Sequence, residues 1–224
     1  MSGLGEVIQA RCESFGPRRD GLEPRFIVLH YTAMESAEAA LERLCDPGVE
    51  VSAHYLIGED GRVWQMVDEA MRAWHAGAGS WRGLEDINSR SIGIELANRG
   101  DHPFSEPQMV ALEALMGGIM ARWSIGPEDV IGHSCMAPGR KIDPGPRFDW
   151  HRLARRGLAV WPDVGAARDV DAVRFRDAAL AYGFPDVPDD LLLQAVRLRF
   201  RPWGCGALGG EDMAVAEALA AQSV

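Results

Sequence analysis

Phe26-Ile27-Val28-Leu29 is an unbroken apolar run that passes directly into His30-Tyr31-Thr32. A run this short, with no polar residue on alternate positions, reads as a strand covered on both faces. Such a strand belongs inside a sheet flanked by helices. The polar trio then falls at the strand's C-terminal end, where open α/β sheets place their sites.

The sequence on either side fits that frame. Ser36 to Leu44 has helical spacing with Ser36 as N-cap, and Asp46-Pro47-Gly48 stops it. Val51 to Ile57 and Arg62 to Val67 flank Glu59-Asp60-Gly61, a hairpin signal. Residues 77–90 are Gly-rich and polar and read as a long loop. Ser91-Ile92-Gly93-Ile94-Glu95-Leu96 alternates like a strand. Ser105-Glu106-Pro107-Gln108 is a capping box opening a helix to about Trp123. Val130-Ile131 starts a short strand leading into Gly132-His133, and Asp149 caps a short helix ending at Gly157. Upstream, residues 1–24 are rich in Gly, Pro and Arg and read as an arm or loops. Downstream, 161–169 reads as a linker. It precedes helical stretches at about Val170 to Tyr182, Asp189 to Phe200 and Glu211 to Ala221. The organisation expected is an α/β domain over 25–160 and a small three-helix domain over 170–224.

Composition narrows the partners. The 224 residues carry a formal net charge of −10 with 47% hydrophobic residues, an ordinary globular make-up too acidic for phosphate backbones or anionic membrane surfaces. Nucleic acid is therefore not an expected partner. No apolar run approaches the roughly 18 residues of a membrane span. Met1-Ser2-Gly3-Leu4-Gly5-Glu6 has no basic or long apolar segment of a secretory signal. If Met1 is the native start, a cytoplasmic location is expected; the alternative is a periplasmic protein whose signal has been removed. Cys12, Cys45, Cys135 and Cys205 are scattered without a CxxC pair, so free thiols are expected.

Chemistry collects at strand ends. His30 and His133 each follow a core strand, and the stiff Lys141-Ile142-Asp143-Pro144-Gly145-Pro146 segment can present Asp143 at a fixed angle. Two imidazoles and a carboxylate suit Zn²⁺, and three protein ligands leave a fourth position open, as catalytic sites do. Bound there, the metal lowers the pKa of a water to about 7. Glu95, among Ile92, Ile94 and Leu96, can have its pKa raised into the range of a proton carrier. Lys141 can donate to an oxyanion. On residue types alone, each has an ordinary alternative. His30 and His133 could be satisfied histidines at strand ends, Asp143 a turn former, Glu95 half of a buried ion pair, and Lys141 a solvated charge.

The blocks Phe26 to Ala33, Val51 to Ile57, Ala73-Trp74-His75-Ala76-Gly77, Ser91 to Leu96, Gly132-His133 and Ala137 to Trp150 occur in an order that resembles the type 2 N-acetylmuramoyl-L-alanine amidases. The resemblance covers about residues 25–160. It implies a mixed central sheet flanked by helices, Zn²⁺ ligands at His30, His133 and Asp143, a catalytic glutamate at Glu95 and a transition-state lysine at Lys141. It implies a substrate cleft lined by Tyr31, Thr32, Trp74 and His75, and peptidoglycan or a muropeptide as substrate. Relatives in this group often have a cysteine as third ligand and a tyrosine near the metal. Here Asp143 takes the ligand position and Ala53 stands at the tyrosine's, while Cys135 reads as a small buried thiol. The tail is similar to a degenerate three-helix peptidoglycan-binding domain or, equally, to a bundle that only packs on the catalytic domain. A muropeptide-recognition module without activity and a zinc endopeptidase remain the alternatives.

Overall fold

In the computed structural model, which describes residues 5–222, strand β3 (Phe26–Tyr31) is an interior strand, one in from the edge, of a six-stranded mixed sheet. The others are β1 (Val7–Gln9), β4 (Tyr55–Ile57), β5 (Val63–Gln65), β7 (Ser91–Leu96) and β8 (Val130–Gly132), in the order β1-β5-β4-β7-β3-β8. Within this sheet, among the described residues, only β4 and β5 pair antiparallel, as the hairpin signal requires; β3, β7 and β8 run parallel. A separate antiparallel pair joins β2 (Phe15–Pro17) to β6 (Met71–Ala73).

Alternation along β3 explains its unbroken apolar run. Ile27 and Leu29 point into a core with Met109, Leu112, Leu115, Met116 and Ile119 of helix α3 (Glu106–Trp123). Phe26 and Val28 point the other way, into a core built largely by helices α6 (Ala172–Tyr182), α7 (Asp189–Phe200) and α8 (Gly210–Ala220). Both faces are dry, so neither set of alternate positions can be polar. The C-terminal helices thus complete the core of the sheet: Phe175, Tyr182, Leu192, Phe200 and Met213 share one apolar cluster with Phe26, Val28 and Ile131. Arg199 fastens the junction, stacking on the Trp150 ring at 3.5 Å and donating to the Val160 carbonyl at 2.9 Å.

Four local readings differ from the sequence expectation. The stretch read as a loop over 77–90 ends in a short helix, α2 (Ile87–Arg90). The segment read as an arm is woven into the sheet: β1 pairs with β5, and the Arg18 guanidinium donates to the carbonyls of Glu69, Asn88, Ser89 and Ser91. The first hairpin strand begins at Tyr55, because left-handed Glu50 (φ 53°) turns the chain and the Ser52 hydroxyl bonds the Ser14 carbonyl instead. The capping box is half made. Ser105 Oγ accepts from Gln108 N at 3.3 Å, but the Gln108 amide turns inward to donate to the carbonyls of Ile57 and Ala97.

Candidate active site

Sheet register brings the site together. Parallel pairing sets His30 level with Glu95, and Leu29 level with Gly132. The residues that follow, His30 on β3 and His133 opening the short helix α4 (His133–Met136), therefore emerge side by side at the carboxyl edge. Asp143 is brought up to them by its own backbone, whose carbonyl accepts from Ser134 N at 3.0 Å. Pro144 passes so close to Gly132 that a Cβ there would lie 2.8 Å from the proline Cδ. His30 Nδ1, His133 Nδ1 and Asp143 Oδ2 converge, with separations of 2.9, 2.8 and 3.0 Å. All three residues are buried.

Hydrogen bonding decides which nitrogens carry protons. His133 Nε2 lies 2.8 Å from the Ala76 carbonyl, which can only accept, so its proton is there and Nδ1 keeps a lone pair. For His30 the determining chain is longer. The Ser91 hydroxyl donates to the Ile87 carbonyl at 2.6 Å, leaving Ser91 Oγ to accept from His75 Nε2 at 3.2 Å. His75 Nδ1 then accepts from His30 Nε2 at 3.0 Å, and His30 Nδ1 is free toward Asp143. Such partners behind a ligating imidazole fix its tautomer and direction. Gly93 makes the chain possible: a Cβ there would lie 2.4 Å from the His75 ring.

Two imidazole lone pairs and a carboxylate oxygen this close repel one another unless a cation lies among them. Burial, then the neighbouring His133, lowers the His30 pKa to about 4, so the ring stays neutral. Burial alone would raise the Asp143 pKa, but the His133 and His30 rings against its carboxylate outweigh that and hold it below the ordinary range. Neutral imidazoles and an ionised carboxylate are the protonation states that metal binding needs. The donor set fits a divalent metal ion, and His30, His133 and Asp143 are the residues able to hold one.

Glu95 lies beside them in the same cleft, of about 770 Å³. Its Oε2 is buried without a hydrogen-bond partner among the described residues. Burial, then the negative Asp143, pushes its pKa up to about 8. Lys141, Tyr31, Thr32, Trp74 and His75 also border the cleft. Two of these are committed elsewhere. Both His75 nitrogens bond within the protein, so His75 backs His30 rather than offering a free polar group to a substrate. The Thr32 hydroxyl is engaged with the Met34 amide and the Asn98 backbone. Ala53 is fully buried in the apolar cluster around Trp64, and Cys135 is buried in the core beneath the C-terminal helices and is not among the residues whose ligand atoms converge. Sequence reading gave no role to Ser91, Asn88, Arg43 or Arg140. Ser91 ends the His75 chain, and Asn88 Oδ1 accepts from the amides of His75 and Ala76. Arg43 and Arg140 line the cleft. Of the four, Ser91 and Arg140 lie inside the sequence blocks Ser91 to Leu96 and Ala137 to Trp150, while Asn88 and Arg43 carried no sequence signal.

A buried His-His-Asp trio able to hold a metal ion at a sheet's carboxyl edge, open to a cleft that also holds a carboxyl group whose pKa is pushed up by burial, is the arrangement of a hydrolase. The N-acetylmuramoyl-L-alanine amidase family model matches residues 20–146, and the chain belongs to that family. It is similar to the N-acetylmuramoyl-L-alanine amidase AmiD of Escherichia coli, 36% identical over 228 residues, 87% of this chain and 82% of the relative. The solved structure of E. coli AmiD in complex with the substrate anhydro-N-acetylmuramic acid-L-Ala-D-γ-Glu-L-Lys has a TM-score of 0.82 at 35% identity, covering 95% of this chain and 93% of that one. AmpDh3 of Pseudomonas aeruginosa, solved with anhydromuramic pentapeptide, has a TM-score of 0.77 at 31% identity over 99% of both chains. At these coverages the structural similarity takes in the C-terminal helical region as well. The chain is an amidase, cutting between N-acetylmuramic acid and L-alanine.

Proposed function

We propose that the chain acts on anhydromuropeptides with one Zn²⁺ held by His30, His133 and Asp143, using Glu95 as proton carrier and Lys141 as oxyanion donor. The observation that carries this is the convergence of His30 Nδ1, His133 Nδ1 and Asp143 Oδ2 within 3.0 Å of one another, with Glu95 in the same cleft. Bound zinc supplies a Lewis acid and lowers the pKa of a water to about 7.

The chain's own groups do the rest. A carboxyl group with a pKa near 8 can take a proton from the attacking water and pass it to the alanine nitrogen as that amine leaves. Lys141, on the cleft wall, donates to the lactyl oxygen as it becomes negative; one such donor is typically worth about 3 kcal/mol. His75 and Ala76 hold the two imidazoles in their ligating tautomers. Arg43, Arg140 and Lys141 make the cleft wall cationic in a chain of net charge −10, which favours a stem peptide bearing carboxylates. The anhydromuropeptides named with E. coli AmiD and P. aeruginosa AmpDh3 are of that kind.

Mass spectrometry of products from intact sacculi and from purified anhydromuropeptides tests the reading. Free anhydro-N-acetylmuramic acid and a peptide with an L-alanine amino terminus are expected. Cleavage between two stem residues, or release from sacculi alone, would contradict it.

A further inference from the structure

We propose that Cys12 and Cys45 are a dithiol pair that closes to a disulfide under oxidising conditions, stapling the N-terminal segment to the end of helix α1 (Ala37–Cys45) beside the cleft. The two residues are far apart in the chain and are brought together by the fold. Cys12 follows β1 and is held on the sheet edge, its amide donating to the Met66 carbonyl at 3.3 Å. Its Sγ donates to the Leu44 carbonyl at 3.0 Å, one residue from Cys45. Both cysteines belong to one apolar cluster, Cys12 buried in it and Cys45 partly buried against it. Burial, then the neighbouring Cys12, pushes the Cys45 thiol up to about 11. The remaining cysteines sit elsewhere, Cys135 in the core under the C-terminal helices and Cys205 exposed between α7 and α8.

The staple acts on a lightly held cleft wall. Helix α1 buries only Ala37 and Ala40, yet it carries Arg43 and Leu44 into the cleft. Fixing its last residue to the sheet-bound Cys12 fixes that wall.

The chemistry balances with a disulfide oxidant, either a small one such as oxidised glutathione or a thiol–disulfide oxidoreductase. Cys45, the more accessible thiol, loses its proton and attacks the oxidant's sulfur, forming a mixed disulfide and expelling one thiolate. Cys12 then loses its proton and attacks the Cys45 sulfur, expelling the second thiolate. Two protein thiols give up two electrons and two protons; the oxidant becomes two thiols. The raised Cys45 pKa makes the first attack slow at neutral pH and faster in mild alkali. The bond would therefore form where disulfide oxidants operate and stay open in a glutathione-reduced cytosol.

The test treats the folded full chain with oxidised glutathione at pH 8.5, then digests it with trypsin without reduction. The expected product is the Cys12–Arg18 peptide joined to Leu44–Arg62. A rise of about 7–15 °C in Tm should accompany it, the size expected from closing a loop of this length in a protein of this size. Cys45→Ser, at a partly exposed helix end, should show neither. A glutathione adduct that persists on Cys45 beside a free Cys12 would overturn the proposal, as would links through Cys135 or Cys205. A Cys12–Cys45 link that leaves Tm unchanged would overturn the staple.

Discussion

Replacing His75 by Ala removes the acceptor that holds His30 Nε2–H at 3.0 Å and the donor to Ser91 at 3.2 Å. His30 is then free to place its proton on Nδ1, where it blocks the metal, and a buried N–H loses its partner at a cost of about 1–3 kcal/mol. Partners of this kind are worth 10–100-fold in metal affinity, or about 1.4–2.7 kcal/mol. Gly93 offers an independent route to the same defect. A Cβ on Gly93 would lie 2.4 Å from His75 Cγ and 2.6 Å from Nδ1, so the ring must retreat by about 1 Å to reach ordinary contact. That stretches the His30–His75 bond beyond useful length. Gly93→Ala should therefore reproduce most of the His75→Ala loss. In the double mutant the new methyl enters space the imidazole has vacated, so the second change should add almost nothing. The assay is zinc competition against a chromophoric chelator on each single mutant and the double, with melting of the metal-free proteins as a fold control. Additive losses, or native affinity in folded His75→Ala, would refute the relay.

Three further outcomes follow from the structure. Glu95→Gln should keep zinc content and lower kcat by about 10²–10⁴-fold; near-native turnover would remove Glu95 from proton transfer. His54 is fully buried, and burial, then Arg18, lowers its pKa from 6.5 to about 3. Below pH 6.5 the unfolded chain takes up a proton that the folded ring refuses, so this group costs about 1.4 kcal/mol per pH unit down to about pH 3. Urea unfolding of the metal-free protein between pH 6.5 and 4 should show a shallower acid slope for His54→Gln than for wild type; equal slopes would contradict the assignment. Deleting residues 165–224 should yield an aggregated or unfolded chain, because it uncovers Phe26, Val28 and Ile131, each worth about 1.5–3 kcal/mol of burial. A soluble, active fragment would show that the helices are dispensable to the core.

The elements with strong local signals were legible in the sequence. Phe26 to Leu29 reads as a strand covered on both faces, and is one, and Asp60-Gly61 lies in the turn between two strands that do pair antiparallel. The three C-terminal helices fall close to where helical spacing and breakers put them. What local pattern could not carry is long-range pairing. Val7–Gln9 is three residues long, too short to show alternation, and is a strand only because β5 lies beside it. The same limit applies at the site. The sequence offered His75 as a cleft residue, but its role depends on which way the ring points. That direction is set by Gly93 and Ser91 on a strand whose register with β3 is a property of the whole sheet. Nor could spacing say what the C-terminal helices pack against; their apolar faces share one cluster with one another and with Phe26, Val28 and Ile131 of the sheet.

The claim on which the account rests is best tested by anomalous diffraction at the zinc absorption edge from zinc-loaded crystals, with metal analysis of the same protein. One peak per chain is predicted, bonded to His30 Nδ1, His133 Nδ1 and Asp143 Oδ2 and lost in His133→Ala. A stoichiometric peak elsewhere, or full amidase activity in protein shown to be free of metal, would contradict it.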